Sequence, residues 1–255
     1  MIVANDENIK EIVHSEIKRL GNKADLNHID VSGVTNMWEL FEFSQFNGDI
    51  SKWDVSKVVD MSYMFYGSNF NGDISKWDVG NVESMHRMFQ HSKFNQDISK
   101  WDVGNVRDMS WMFAGSQFNQ DISNWDVGNV VDMESMFSHS KFNQNISKWD
   151  VSNVENMSFM FRKSKFNGDI SKWDVGNVRD MTDMFCDSLF NGDISKWNIN
   201  IKMFMETPQY FKVNGLDEDI FFTKLSCSYK PKNQTEINIS PKNIYINHIR
   251  KRLKI

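Results

Sequence analysis

Apolar residues recur along this chain with a period of 24. Trp53, Trp77, Trp101, Trp125, Trp149, Trp173 and Trp197 fall on that period, and so do the phenylalanines from Phe46 to Phe190, each followed by Asn. Methionines from Met37 to Met181 keep the same register. A strict period of this size predicts a solenoid, with each copy forming one coil stacked on the last. Within a copy, Ser75, Trp77 and Val79 alternate with Lys76 and Asp78, the pattern of a half-buried strand. Gly80-Asn81 then turns the chain into a second short strand through Val82 and Met85. Ser62, Ser110, Ser158 and Thr182 each follow a Met and predict the N-cap of one helical or 3-10 turn carrying Met64-Phe65 and its equivalents. Phe-Asn-Gly/Gln-Asp closes the coil as a turn. The predicted fold class is therefore a repeat solenoid with short parallel strands and a helical turn per coil.

Outside the repeats the period changes. Ile9, Ile12, Val13, Ile17 and Leu20 recur at helical spacing over residues 8–20, with Asn8 as N-cap, Glu11 three residues on and Gly21 past the end. Residues 1–24 are thus expected to form a helical N-terminal cap; a membrane-surface or partner helix is the competing reading. Seven copies run from Ile29 to Lys196, with a partial eighth, so the repeat region spans 25–205. The first copy is degenerate, with Ile29 where Trp is expected, and the last decays after Trp197. From Glu206 the composition shifts, and Pro208, Pro231 and Pro241 all lie beyond it. Residues 206–255 are expected to be a C-terminal cap with a hairpin and a basic tail.

The motif W-D-V-x-x-V-x-x-M-x-x-M-F-x-x-S-x-F-N-x-D-I-S-K resembles the tandem repeats of the BspA-like leucine-rich-repeat surface proteins, a bacterial family with relatives in some large DNA viruses. The resemblance covers residues 25 to about 205. It implies a leucine-rich-repeat-like solenoid and a role in adhesion or protein interaction, and it carries over no catalytic residue. Burial of one copy's apolar anchors cannot offset the ordering of its backbone, so stacking must supply the difference.

Net charge is −5, which gives no overall pull toward nucleic acid. No stretch has the apolar length of a membrane span, so no membrane insertion is expected. The N-terminal MIVANDENIKEIVHSE has early acidic residues and no signal-peptide core, so the chain as written reads as cytoplasmic unless exported by another route. Members of the resembled family are often at the cell surface. The two cysteines, Cys186 and Cys227, lie in unlike contexts, and no disulfide framework is expected from them.

Stacking turns each repeated residue into a column. The Asn column from Asn47 to Asn191 reads as a structural amide ladder serving the turn backbone. The Met and Phe columns read as core, and no His or Cys keeps their register, so no cofactor is expected. Two Asp columns, Asp54 with its equivalents and Asp73 with its equivalents, would repel along the stack. Lys52, Lys76 and Lys100 are expected to interleave with the first and neutralise it, while turn N–H groups hold the second. A calcium ladder is the sharper alternative; the turns lack Gly-Gly-x-Gly-x-Asp, and no metal site is assigned.

Recognition should reside where the copies differ. The residue before each Met-Phe pair, Leu40-Phe41 in the first copy, runs Glu39, Tyr63, Arg87, Trp111, Ser135, Phe159, Asp183. Tyr63, Trp111 and Phe159 occupy alternate copies, about 9.6 Å apart, with Arg87 between two of them. These four are the candidate binding residues, since Tyr, Trp and Arg are common interface anchors. The competing reading has them fill grooves between coils. The six His contain no HExxH, the Ser no Gly-x-Ser-x-Gly, and no phosphate-binding Gly loop is present, so no enzyme is expected. The expected function is non-catalytic recognition of a protein or surface glycan, adhesin-like; the alternative is a structural spacer or surface-coat component, with or without calcium stabilisation.

Overall fold

The computed structural model of the chain describes residues 2–199, so the expected C-terminal cap over 206–255 lies outside the described residues. Strand β1 (Ile2–Val3) pairs in parallel with β2 (Ile29–Asp30), and helix α1 (Ile9–Leu20) lies between them in sequence. Ile9 and Val13 of α1 are buried in the same core as Leu26, Phe41 and Phe46 of the first copy. Glu16 ties the helix to that copy through His28 Nε2 at 2.8 Å, and Asp6 accepts the Thr35 N–H at 2.7 Å. Gly21 ends the helix at φ 90°, its N–H donating to Ile17 O. The expected Asn8 cap is not formed by its side chain, which accepts the Asn5 N–H instead.

Beyond Asp30 the described residues form a tandem stack with an aromatic core and few regular elements. Equivalent residues 24 apart meet in parallel at one position per copy: Asn36 to Asp60, Asp60 to Ser84, and so on to Asp180. The expected Trp-Asp-Val strand is absent, because its N–H groups bond within their own copy. Trp53 N–H reaches Ile50 O and Val58 N–H reaches Val55 O, while Asp54 Oδ1 accepts the Ser56 N–H, so the chain bends every few residues. The Trp side chain still links copies: its Nε1 donates to an Ile or Leu carbonyl of the preceding copy, as Trp77 does to Ile50 at 3.2 Å.

The expected helical turn at Met64-Phe65 is also replaced. Along Met61 to Ser68, alternate N–H groups point in two directions. Met61, Tyr63, Phe65 and Gly67 donate to Ser84, His86, Met88 and Gln90 of the next copy, whereas Met64, Tyr66 and Ser68 donate three residues back. A helix aims all its N–H groups one way, so it cannot build this ladder. Left-handed residues make the alternation possible: Tyr63 has φ 58° and Gly67 φ 61°, the third positions of two tight turns. Ser62 caps no helix; Asp60 Oδ1 accepts its N–H at 2.8 Å.

The copies are not parallel slabs. Backbone hydrogen bonds join the copies along the turn side. Ring centroids are 5.5 Å apart from Phe65 to Phe89, 6.3 Å from Phe70 to Phe94 and 6.4 Å from Trp53 to Trp77. Ring planes rotate by only 1–3° in those steps. Equivalent rings are thus spaced more widely at the Trp column than beside the turn ladder, which makes the turn ladder the concave side of the stack.

Candidate functional site

The concave face is built by the turns over Ser62 to Asn69 and their equivalents, and all four candidate residues stand on it. Tyr63, Arg87, Trp111 and Phe159 are partly exposed, while Met64, Met88, Met112 and Met160 beside them are fully buried. Each of the four occupies a left-handed position, with φ between 56° and 60°. A side chain there costs on the order of 1–3 kcal/mol relative to a residue free of Cβ strain. The two ladder hydrogen bonds flanking each position hold it in place.

The structure brings Tyr63, Arg87 and Trp111 together. The Arg87 guanidinium carbon is 5.6 Å from the Tyr63 ring centroid and 4.6 Å from that of Trp111, within cation–π range of both. Arg87 Nε donates to His86 Nε2 at 3.1 Å and one terminal nitrogen donates to Gln90 Oε1 at 3.1 Å. His86 Nδ1 lies 2.5 Å from Ser110 Oγ, and its Nε2 is 3.3 Å from the Tyr63 hydroxyl. Burial pushes the His86 pKa down and the Arg87 charge adds to this, against the pull of Asp108. A neutral imidazole is consistent with Nε2 accepting from Arg87. Phe159 stands apart from this trio, with its own cation: the Arg162 guanidinium carbon is 5.5 Å from its ring. Between them Ser135 is fully buried.

Sequence reasoning missed most of the surroundings. Trp38 and Phe43, 49% and 62% exposed, extend the aromatic surface through Tyr63 and Tyr66. Glu134 lies beside Trp111; burial raises its pKa, with Asp132 adding and a Trp111 hydrogen bond opposing. A third column of short acceptors (Asn36, Asp60, Ser84, Asp108, Asp132, Asn156, Asp180) also escaped notice, because its residue type varies. Its shared property was legible: every member is Asp, Asn or Ser, and each Asp or Asn from Asp60 onward accepts the N–H two residues on.

Other columns hold the scaffold. From Asn71 onward, each Asn N–H of the Phe-Asn turn donates to the Asn side chain of the copy before, as Asn95 does to Asn71 Oδ1 at 2.8 Å. Both Asp columns accept turn N–H groups: Asp78 from Gly80 at 3.1 Å and Asp73 from Ser75 at 2.9 Å. Those bonds, with a smaller contribution from Lys76, hold the Asp73 pKa below its ordinary value. The expected Lys pairing with the first Asp column does not form; among the described residues no ion pair joins them. Lys76 acts instead on Asp73, three residues before it. Among the described residues, no three His, Cys, Asp or Glu side chains gather as metal ligands would. No helix of the described residues is long and apolar enough to cross a membrane.

The tandem copies are matched by a family model. Residues 8–120, 90–162 and 115–214 match the family described as Mycoplasma protein of unknown function, DUF285. The chain belongs to that family. Its overlapping matches follow the tandem copies, and they cover both α1 and the whole concave face. No curated protein and no solved structure matches the sequence. A DUF285 chain of this kind is thus a tandem-repeat protein with an aromatic core, in a family whose function is unknown.

Proposed function

We propose that this DUF285 chain is a non-catalytic recognition protein: a leucine-rich-repeat-like solenoid of the BspA-like kind that binds a protein or surface glycan on its concave face, in the manner of an adhesin. The observation that carries this reading is the Tyr63–Arg87–Trp111 stack. All three residues sit where the backbone is left-handed and glycine would be least strained, yet each presents a large, partly exposed side chain. Core packing does not require them, since Met and Phe fill the interior. Arg between aromatic rings is rigid and costs little entropy to order on binding, which favours recognition.

Replacing Tyr63, Trp111 and Phe159 together by Ser tests it. The expected outcome is a melting curve close to wild type, within about 0.5 kcal/mol per site as for exposed positions. Cross-linked partner capture is expected to fall sharply, since anchors of this kind are worth about 2 kcal/mol or more each. A loss of several kcal/mol in stability would make the rings groove-filling and remove the basis for recognition. Unchanged capture with unchanged stability would place recognition away from these rings, and no capture by the wild-type chain would favour the spacer reading.

A further inference from the structure

The concave face is electrically unlike the rest of the chain. Over copies three to six, the turn positions equivalent to Ser62–Asn69 carry Arg87, Lys93, Lys141, Arg162, Lys163 and Lys165 against one carboxylate, Glu134, in a chain of net charge −5. Lys93, Lys141 and Lys165 share one column; His91, His139 and Lys163 share the next. All six of these column residues are exposed. None of the six cations takes part in an ion pair among the described residues. His91 lies over Gly115, where a Cβ would come within 2.2 Å of its Nδ1, so its ring covers the turn of the fourth copy, which has no cation of its own. The strip is bounded by acidic copies, with Glu39 and Glu42 at one end and Asp183 and Asp187 at the other.

We propose that this strip binds a linear acidic polysaccharide laid along the stack, with one sugar per copy and its anions against the Lys93–Lys141–Lys165 and His91–His139–Lys163 columns. The proposal rests on the reading of the concave face as a recognition surface and names the ligand class. Register favours a sugar chain. The ladder repeats about every 4.8 Å, whereas an extended peptide advances about 3.4 Å per residue. A stacked nucleic-acid strand also advances only about 3.4 Å of axis per phosphate. Either would fall out of phase with the cations within two or three copies, while an extended pyranose chain advances by close to one copy per ring. Trp111 supplies a ring at the turn without a cation, a surface on which the C–H face of a sugar packs. Arg162 adds a donor, its Nε being buried with no hydrogen-bond partner among the described residues.

Four copies hold about four sugars at that spacing. The test is calorimetry of the full chain with size-defined heparin and hyaluronan oligosaccharides, which separate sulfate from carboxylate, and with poly-glutamate and oligo-dT of matched charge as other polyanions. Affinity is expected to rise with length up to a tetrasaccharide and to fall with salt. Lys141→Gln, Lys163→Gln and Lys165→Gln together should weaken it by roughly tenfold or more with melting unchanged, and each single variant by a part of that. Lys52→Gln, Lys76→Gln and Lys100→Gln together, an equal charge loss away from the concave turns, should leave it unchanged. Equal losses in the two triple variants, tighter binding of poly-glutamate or oligo-dT, or no binding of either sugar would overturn the proposal. The Tyr63, Trp111 and Phe159 serine variant keeps the two readings apart. Lost capture of a protein partner in a chain that binds no acidic sugar would sink the ligand class and leave the recognition face standing.

Discussion

At the scale of the residue, the backbone conformation of the turn decides what can be substituted. Twelve non-glycine residues among those described lie at positive φ, two per copy where both positions carry side chains. The first position holds Glu39, Tyr63, Arg87, Trp111, Ser135, Phe159 and Asp183, and none is glycine. Glycine occurs at the second position only where a ring of the previous copy covers it: Phe43 over Gly67 and His91 over Gly115. Left-handed strain makes a sharp prediction. Tyr63→Gly should be more stable than Tyr63→Ala by about 1 kcal/mol, because both remove the ring and only Ala keeps the Cβ. Urea unfolding of the two variants measures it. Equal stability, or Ala ahead as in a helical turn, would contradict the turn geometry. This is also where the sequence was least readable. A left-handed position filled by Tyr, Arg or Trp carries no glycine signal, so Met-Ser-Tyr-Met-Phe read as a capped helical turn. The columns themselves were legible from the fixed period alone.

At the scale of the element, short polar side chains take the place of strands. The Asp54 and Asp73 columns, and the overlooked Asp60 column, each bond the N–H two residues ahead, and the Asn ladder spans the copies. Those bonds prevent the extended Trp-Asp-Val segment that its alternation predicted. Turn bonding also gives the stack a pH dependence. Backbone and side-chain hydrogen bonds with Ser two residues on lower the pKa of Asp49, Asp73, Asp97, Asp121, Asp169 and Asp193 from 3.8. A carboxyl lowered on folding binds its proton more readily in the unfolded chain, so its stabilisation is present above 3.8 and lost as pH falls through the lower folded value. His139 acts at milder acidity with the same slope: burial, Lys163, Arg162 and His91 lower its pKa from 6.5, so acidification below that value favours the unfolded chain. Glu134, Asp132 and Glu42 are raised and oppose the trend between their ordinary and folded values. Melting temperature is therefore expected to fall modestly below pH 6.5 and steeply below 3.8. Asp73→Asn, which still accepts the Ser75 N–H, should flatten the steep limb; an unchanged limb would mean that the ladder carboxylates do not set acid stability.

At the scale of the whole molecule, each copy touches only its neighbours, and stability becomes a sum over interfaces plus the condition of the ends. That predicts opposite outcomes for deletions of equal length. Removing residues 97–120 joins Gln96 to Asp121, restores Phe-Asn-Gln-Asp-Ile across the junction and keeps every column in register. The shortened chain should remain folded and monomeric, with Arg87 now one copy from Ser135 and the Trp111 ring gone. Removing residues 1–24 takes away Ile9 and Val13, buried against the first copy, together with the N–H groups of Ile2 and Ala4 that satisfy His28 O and Asp30 O. It leaves Leu26, Ile29 and Phe41 at an open edge beside unpaired acceptors, a template for joining a second chain. Aggregation, or an end-to-end dimer through that edge, is the expected result in size-exclusion chromatography. A third deletion, residues 97–108, is half a period and should unfold the protein, since it sets Met and Phe columns against turn columns on the C-terminal side. If the half-period deletion melted like the full-period one, stacking register would not be what holds the copies together. If loss of residues 1–24 left a monomer with an unchanged melt, β1 and α1 would be an attachment to the stack and not its cap.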